Sequence, residues 1–388
     1  MKRVVFFLFS LFFFCFSVYA EEFDITGEYV SLYNMNEDML IYSKNDTKKT
    51  SIASLTKMMT TLVAIENIDD LEKVITIKER DFDGTVGYSK AGFSVGDKVT
   101  YLDLLYGIIL PSGADAVNAI VNNTLGYNSF IKKMNETAKK IGMNDTSFAN
   151  PIGKDDENNY STSSDIAKLL KYALKNETFK KVFTTKSYKT SNGINLESTV
   201  NSYKSILNTS EILGAKSGFT KNAGRCLASI TTLNGVDYLL VVINSSTSSP
   251  SNAVKDTITI YDYYSSNYGY KNILNDDTFI KEIPVDLSKE KTYKITGNED
   301  VNKYLKNGDE VTYEYVGSDK ITFNTKKGSK LGVVNIYNGD ELIATSNVYL
   351  ENNIEYYPIV TYVLIFIGVI FILLIIRKSK KKHRRRRR

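Results

Sequence analysis

The sequence predicts an α+β domain, then a small all-β module, then one membrane-spanning helix. Three observations carry that expectation. Runs with helical spacing of apolar residues and runs with strand character are mixed from Glu21 to about Asp277. Beyond Asp277, as far as Leu350, the segments are short, rich in β-branched residues and separated by Gly, Asn and Asp. Tyr357 to Ile376 then carries no charge and is almost wholly aliphatic or aromatic; about 20 such residues cross a bilayer as a helix. A chain of 388 residues has room for two domains plus targeting segments. With 43% hydrophobic and 24% charged residues, its composition is that of an ordinary globular protein.

Taken in order, Tyr29 to Tyr42 reads as an opening hairpin. Leu55 to Ile68 has apolar residues at helical spacing: Leu55, Met58, Met59, Leu62, Val63 and Ile65. Ser161-Thr162 precedes a second amphipathic helix, with Ile166, Leu169, Leu170 and Ala173 on one face. Cys226–Leu233 and Val236–Ser245 read as strands joined by Asn234-Gly235, a strong short-range hairpin signal. Ser245 to Ser251 is a polar loop, followed by a helix through Tyr264. In the β module a second hairpin is predicted at Asn338-Gly339, between Val333–Tyr337 and Leu342–Thr345.

Both ends of the chain carry address information. Lys2 and Arg3, the apolar run Val4 to Val18, and Val18-Tyr19-Ala20 read as a signal peptide over residues 1–20. At the other end, Arg377 to Arg388 supplies ten Lys or Arg residues in twelve positions. The positive-inside rule puts that tail in the cytoplasm and everything before Tyr357 outside. A nucleic-acid role is the competing reading of such a run, but a spanning helix directly before it favours orientation and anionic-lipid contact. The net charge of +5 is therefore misleading: between the two basic ends, 37 basic face 44 acidic residues, a balance of −7. That surface is not built to hold nucleic acid.

Of two cysteines, Cys15 lies in the signal segment, so Cys226 has no intrachain partner after cleavage and reads as a core residue. The single histidine, His383, lies in the tail. Outside the membrane this excludes a Ser-His-Asp triad and any histidine-bearing zinc site. A hydrolase under these limits needs another base, for which lysine is the leading candidate.

Ala53-Ser54-Leu55-Thr56-Lys57 opens the first strong helix. A spacing of three puts Ser54 and Lys57 on one face, one turn apart. A partly desolvated lysine there can lose its proton and take that of the serine hydroxyl. The pattern alone is weak, for Ser-x-x-Lys recurs at Ser129, Ser288 and Ser379. Order strengthens it: Pro111-Ser112-Gly113-Ala114 follows an apolar segment, and Lys216-Ser217-Gly218 opens the strand pair described above. Each has a bland reading too. Ser112-Gly113 could be a plain turn, Lys216 a solvated strand lysine, and Asp115 a helix cap.

Ser-x-x-Lys, a Ser-Gly turn and Lys-Thr/Ser-Gly on a strand, in that order, are the motifs of penicillin-recognising serine enzymes. Ile52 to Thr60 resembles the nucleophile motif of serine D-alanyl-D-alanine carboxypeptidases, the low-molecular-weight penicillin-binding proteins. Phe148-Ala149-Asn150-Pro151-Ile152-Gly153, followed by Asn159-Tyr160-Ser161-Thr162, resembles their central block. Gly214 to Thr220, with Ala223-Gly224 and Cys226-Leu227, is similar to their third motif, and Lys327 to Gly332 to part of their C-terminal domain. The resemblance covers roughly Tyr29 to Leu350.

It implies a penicillin-binding, β-lactamase-like transpeptidase fold, an antiparallel sheet packed with helices. It also implies an acyl-enzyme mechanism without cofactor or metal. Ser54 attacks the carbonyl between two D-alanines of the peptidoglycan stem peptide, Lys57 is the base, and Ser112 relays a proton to the departing D-alanine with help from Lys216. The N–H groups of Ser54 and Phe219 form the oxyanion hole. Lys216, Ser217, Gly218, Phe219 and Thr220 form the substrate-binding set, with Ser217 on the terminal carboxylate. β-Lactams mimic that dipeptide and are expected to acylate Ser54.

Two departures stand out. The second motif usually ends in Asn where this chain has Ala114, which removes a donor and an acceptor; Asn118, one turn on, is a candidate substitute. The family usually carries a carboxylate-binding arginine after the strand matching Val236–Ser245, where this chain reads Ser245-Ser246-Thr247-Ser248-Ser249. Between the two ends only Arg80 and Arg225 are arginines, and Arg225 reads as structural. Two rivals follow: a non-catalytic peptidoglycan-binding scaffold that kept the fold, and a serine β-lactamase. The latter needs a deacylation base, and no clear Glu-x-x-Leu-Asn segment stands in the middle region.

The expected organisation is a signal peptide over 1–20, a serine peptidase domain over 21–277, a β-rich domain over 278–350, a stalk over 351–356, a transmembrane helix over 357–376 and a basic cytoplasmic tail over 377–388. The expected location is the bacterial cell membrane, with one C-terminal span and the catalytic domain outside. The expected partners are a stem peptide ending in D-Ala-D-Ala, β-lactam inhibitors and membrane lipid, with no nucleic acid.

Overall fold

The computed structural model describes residues 23–323 and 325–385; the signal segment expected over 1–20 lies outside the described residues. Internal contacts divide the chain into two compact units, one ending at Ser266 and the other opening at Asn267.

The first unit begins with strands β1 (Tyr29–Asn34) and β2 (Met39–Lys44), then a 3-10 turn, Ala53–Leu55, running into α1 (Thr56–Asn67). The short pair β3 (Val74–Thr76) and β4 (Lys98–Thr100) follows, then α2 (Tyr101–Ile109), α3 (Ala114–Asn123), α4 (Tyr127–Lys140), α5 (Ser163–Ala173) and α6 (Glu177–Thr184). A small hairpin, β5 (Ser187–Lys189) and β6 (Asn195–Glu197), leads to β7 (Gly214–Thr220), β8 (Gly224–Leu233), β9 (Val236–Ser245) and α7 (Asn252–Asn267).

The main sheet is antiparallel, in the order β2-β1-β9-β8-β7. β8 and β9 meet at Leu233↔Val236, and Asn234 (φ +52°) and Gly235 (φ +79°) form the two-residue turn between them. Positive φ at both positions is the type I′ requirement, which is why Asn-Gly signals it. β9 is buried on both faces. Leu239, Val241 and Ile243 join the core shared with α1 to α6. α7 docks on the opposite face, where the Tyr261 hydroxyl lies 2.9 Å from Ser229 Oγ. Thr162 caps α5: its hydroxyl accepts the Asp165 N–H at 3.0 Å, and the expected apolar face, Ile166, Leu169, Leu170 and Ala173, is buried. From Thr56 to Ala64 every residue of α1 is buried, and helices α2 to α6 pack around it.

The second unit contains β10 (Tyr268–Leu274), β11 (Phe279–Pro284), β12 (Thr292–Thr296), β13 (Val301–Lys306), β14 (Val311–Gly317), β15 (Lys330–Asn338) and β16 (Glu341–Tyr349), then α8 (Ile359–Arg385). Its core includes Leu274, Ile283, Ile295, Val334, Ile336 and Leu350. It opens before the change of texture at Asp277, because β10 pairs with β13 and so belongs to this core. The β15–β16 turn is displaced by one residue from Asn338-Gly339. Asn338 still pairs with Glu341, and Gly339 (φ +58°) and Asp340 make the bend. Thr361–Ser379 within α8 is long and apolar enough to cross a membrane. The helix continues past Ile376 into the basic segment as far as Arg385.

Candidate active site

The 3-10 turn before α1 sets Ser54 at the edge of the sheet. Ala53 takes the left-handed conformation (φ +47°), unusual for a residue with a Cβ. β7 runs alongside, and a Cβ added to Gly218 would lie 3.0 Å from Ser54 N. From the other side, the loop Asn150–Gly153 presses on the same turn. Asn150 Oδ1 accepts the N–H groups of Gly153 (2.8 Å) and Lys154 (2.9 Å), and a Cβ on Gly153 would lie 2.0 Å from the Ala53 carbonyl oxygen.

Lys57 is 1% exposed. Its Nζ lies 2.9 Å from Ser54 Oγ and donates to the Ile152 carbonyl at 2.7 Å. The neighbouring Pro151 carbonyl accepts the Thr60 hydroxyl at 2.6 Å. Burial pushes the Lys57 amine down to about 7, and the negative charge of Asp115 opposes that fall. Sequence spacing brought Ser54 and Lys57 together. It gave no role to Ile152, because a carbonyl on a distant loop leaves no side-chain signature.

Ser112 is 5% exposed, has φ +66°, and lines the cavity in front of Ser54. Beside it, Ala114 is fully buried and its N–H donates to the Ser89 carbonyl at 2.8 Å. Asp115 is not the cap of α3, whose N-cap position is Gly113 with no side-chain cap: its carboxylate instead accepts the N–H groups of Ala91 (2.8 Å) and Gly92 (3.3 Å) on a separate segment. Asn118, the candidate substitute for the missing asparagine, is committed elsewhere. Its amide donates to the carbonyls of Asp81 (3.2 Å) and Asp83 (3.0 Å), and it is absent from the cavity lining.

Lys216 is fully buried on β7, against the reading as a solvated strand residue, and its Nζ donates to the Ser217 carbonyl at 2.7 Å. Burial, and then the positive charge of Lys57, hold its amine well below the usual lysine range. Ser217 Oγ lies 2.6 Å from Thr199 Oγ1. Gly218 and Phe219 line the cavity, whereas the Thr220 hydroxyl donates to Asp155 at 2.6 Å in the turn beyond it. Cys226 is buried and burial pushes its thiol up to about 12, the behaviour of a core residue.

The cavity has a volume of about 260 Å³. Ser54, Ser112, Ser217 and Thr199 contribute hydroxyls to it, and Tyr88 and Ser89 line it from the segment tied to Asp115. Thr199 and Ser89 were missed by sequence reasoning. Neither sits in a motif, and each reaches the site through a long irregular connection. Among the described residues no group of three or more His, Cys, Asp and Glu side chains could hold a metal.

Comparison with known proteins adds independent information. Residues 17–247 match the family described as D-alanyl-D-alanine carboxypeptidase, and residues 268–356 match the penicillin-binding protein 5 C-terminal domain. The chain is 28% identical over 330 residues to D-alanyl-D-alanine carboxypeptidase DacF of Bacillus subtilis, covering 83% of this chain and 84% of the relative. It is 33% identical over 227 residues to a D-alanyl-D-alanine carboxypeptidase of Streptomyces sp., covering 54% and 78%. Among solved structures, penicillin binding protein 5 from Haemophilus influenzae superposes with a TM-score of 0.62 at 23% identity, over 86% of this chain and 99% of that one, a likeness of fold. A mutant of a Streptomyces DD-transpeptidase gives 0.58 at 32% identity, over 62% and 98%.

Proposed function

The chain belongs to the D-alanyl-D-alanine carboxypeptidase family of low-molecular-weight penicillin-binding proteins, and from that premise we propose that it removes the terminal D-alanine from peptidoglycan stem pentapeptides. The observation that carries this reading is the buried Lys57 amine, 2.9 Å from Ser54 Oγ and pushed down to about 7, so that much of it is free base at neutral pH.

Ser54 Oγ attacks the carbonyl carbon between the two D-alanines while its proton passes to Lys57 Nζ. The N–H groups of Ser54 and Phe219 receive the oxyanion. As the C–N bond breaks, the departing amine takes a proton relayed through Ser112, whose place in the cavity lining suits that transfer, with help from the Lys216 amine. Ser217, held by Thr199, meets the substrate's carboxylate. Water then attacks the acyl-Ser54 ester and frees the shortened peptide. A β-lactam entering the same cavity acylates Ser54 and stalls there.

The loss of the usual asparagine at Ala114 is the feature that favours a non-catalytic scaffold. Against it, Lys57 keeps two partners, Ser54 Oγ and the Ile152 carbonyl. We read α8 as a membrane anchor that leaves the catalytic domain outside the cell.

The test is D-alanine release from a Lys- or diaminopimelate-type pentapeptide, alongside labelling by a fluorescent penicillin. The intact chain should release D-alanine and label. Ser54→Ala should not label, and its release should fall by about 10 000-fold. Equal labelling of Ser54→Ala refutes the nucleophile. Rapid turnover of the penicillin with no D-alanine released indicates a β-lactamase. Neither release nor labelling leaves the scaffold reading.

A further inference from the structure

Arg225 plays no part in the mechanism above, yet it is placed as a ligand group would be. It stands on β8 directly opposite Phe219 on β7, and Ser217 stands opposite Leu227. Side chains alternate along a strand, so Ser217, Phe219, Arg225 and Leu227 share one face of this strand pair, while Lys216, Gly218 and Cys226 take the other. Arg225 is thus the diagonal neighbour of Ser217, a relation that a long side chain can bridge. Both residues line the cavity in front of Ser54.

Its partners are the telling point. The guanidinium lies over the Phe219 ring, its Cζ 4.0 Å from the centroid, a contact that limits where it can swing. Its Nε is buried and donates to nothing among the described residues. A buried donor left unpaired is costly and calls for an explanation. Among the described residues lining the cavity, Arg225 is the one charged side chain, and no carboxylate lines it. The segment after β9, Ser246 to Val254, contributes no cation of its own.

We propose that Arg225, reaching in from β8, binds the terminal carboxylate of the D-alanyl-D-alanine peptide beside Ser217. This rests on the carboxypeptidase reading for the identity of the ligand. A planar fork of N–H donors suits a carboxylate, and the contact with Phe219 holds the guanidinium in place before the ligand arrives. The missing arginine after β9 is thereby replaced from a different strand.

The test crosses a change in the protein with a change in the ligand. A blocked tripeptide ending in D-Ala-D-Ala and the same peptide ending in the carboxamide are compared on the full-length chain in detergent. The intact protein should prefer the acid by about 10- to 100-fold in kcat/KM, the range of a charge-assisted contact. In Arg225→Gln that ratio should collapse toward one. In Arg225→Lys, which keeps the charge but loses the fork, it should fall several-fold. Should one variant lose its thermal unfolding transition, the other decides alone. A ratio unchanged by the substitution overturns the proposal.

Equilibrium binding of the two peptides to Ser54→Ala, with and without the Arg225 change, separates this question from catalysis. An acid preference that depends on Arg225 supports the carboxylate site even if no D-alanine is ever released. A preference independent of Arg225, or no binding of either peptide, overturns it.

Discussion

Lys57 shows how burial makes a base. An amine sealed at the centre of a helical cluster cannot hold its charge cheaply, so its pKa falls from 10.5 to about 7. The sign of the pH dependence follows. Above about 7 the folded protein holds the neutral amine, so acylation of Ser54 should rise with pH through about 7 and then level. The unfolded chain binds that proton up to 10.5, so this amine's contribution to stability grows as pH rises from 7 toward 10.5 and is lost as pH falls through 7. Asp115 pulls the other way, and Asp115→Asn should move the acid limb of the acylation profile to lower pH while keeping an oxygen for the Ala91 N–H. Penicillin acylation rates measured across pH check both; an unmoved limb would show that the Asp115 charge does not reach Lys57. The Ser54–Lys57 pair was legible in the sequence because helical geometry joins residues three apart. The contacts of the Ile152 carbonyl and the Asp115 charge were not, since each arrives from another part of the chain: the block Phe148 to Gly153 was recognisable, but not that its Ile152 carbonyl faces Lys57.

Among the elements, the hairpins and amphipathic helices were readable because local chemistry decides them. Asn234-Gly235 satisfies a turn with two positive φ values, and α5 carries its cap and its apolar stripe in consecutive residues. The irregular loops were not readable, for tertiary contact fixes them. Gly153 is the clearest case, and comparison with Gly142 isolates the reason. Both have positive φ, +86° and +81°, but a Cβ on Gly142 meets nothing within 4 Å, whereas one on Gly153 collides with the Ala53 carbonyl. Gly142→Ala should therefore cost only the backbone term, about 1–2 kcal/mol, and still label with penicillin. Gly153→Ala should push the loop off the turn, take the Ile152 carbonyl from Lys57 and lose most labelling. Thermal unfolding and fluorescent labelling of the two variants make the comparison, and equal labelling would remove the loop from the site's support.

At the scale of the molecule, one membrane question is decided by comparing two forces. Beside an anionic bilayer the tail's basic residues would be attracted through a field that salt screens, with a reach of about 3 Å at 1 M. The apolar stretch of α8 gains by a different route. It is exposed along its length, with Leu364 at 63% and Phe366 at 66%, and none of the described residues covers it. A helix apolar all round and left uncovered finds its counterpart in lipid, where each buried CH₂ contributes about 0.8 kcal/mol and salt does not weaken the gain. The protein should therefore stay with the membrane fraction through a 1 M salt wash and leave only in detergent. Release by salt alone would show that the tail merely adheres to the surface and that α8 does not span. For a spanning α8 the charges would have a separate duty, since the positive-inside rule acts on orientation rather than on retention. Replacing the ten tail Lys and Arg residues by Gln should leave salt-resistant retention intact, while a protease added outside intact cells begins to reach the tail in part of the population. Retention without any change in tail accessibility would mean that the apolar segment, and not the charge beside it, fixes the orientation.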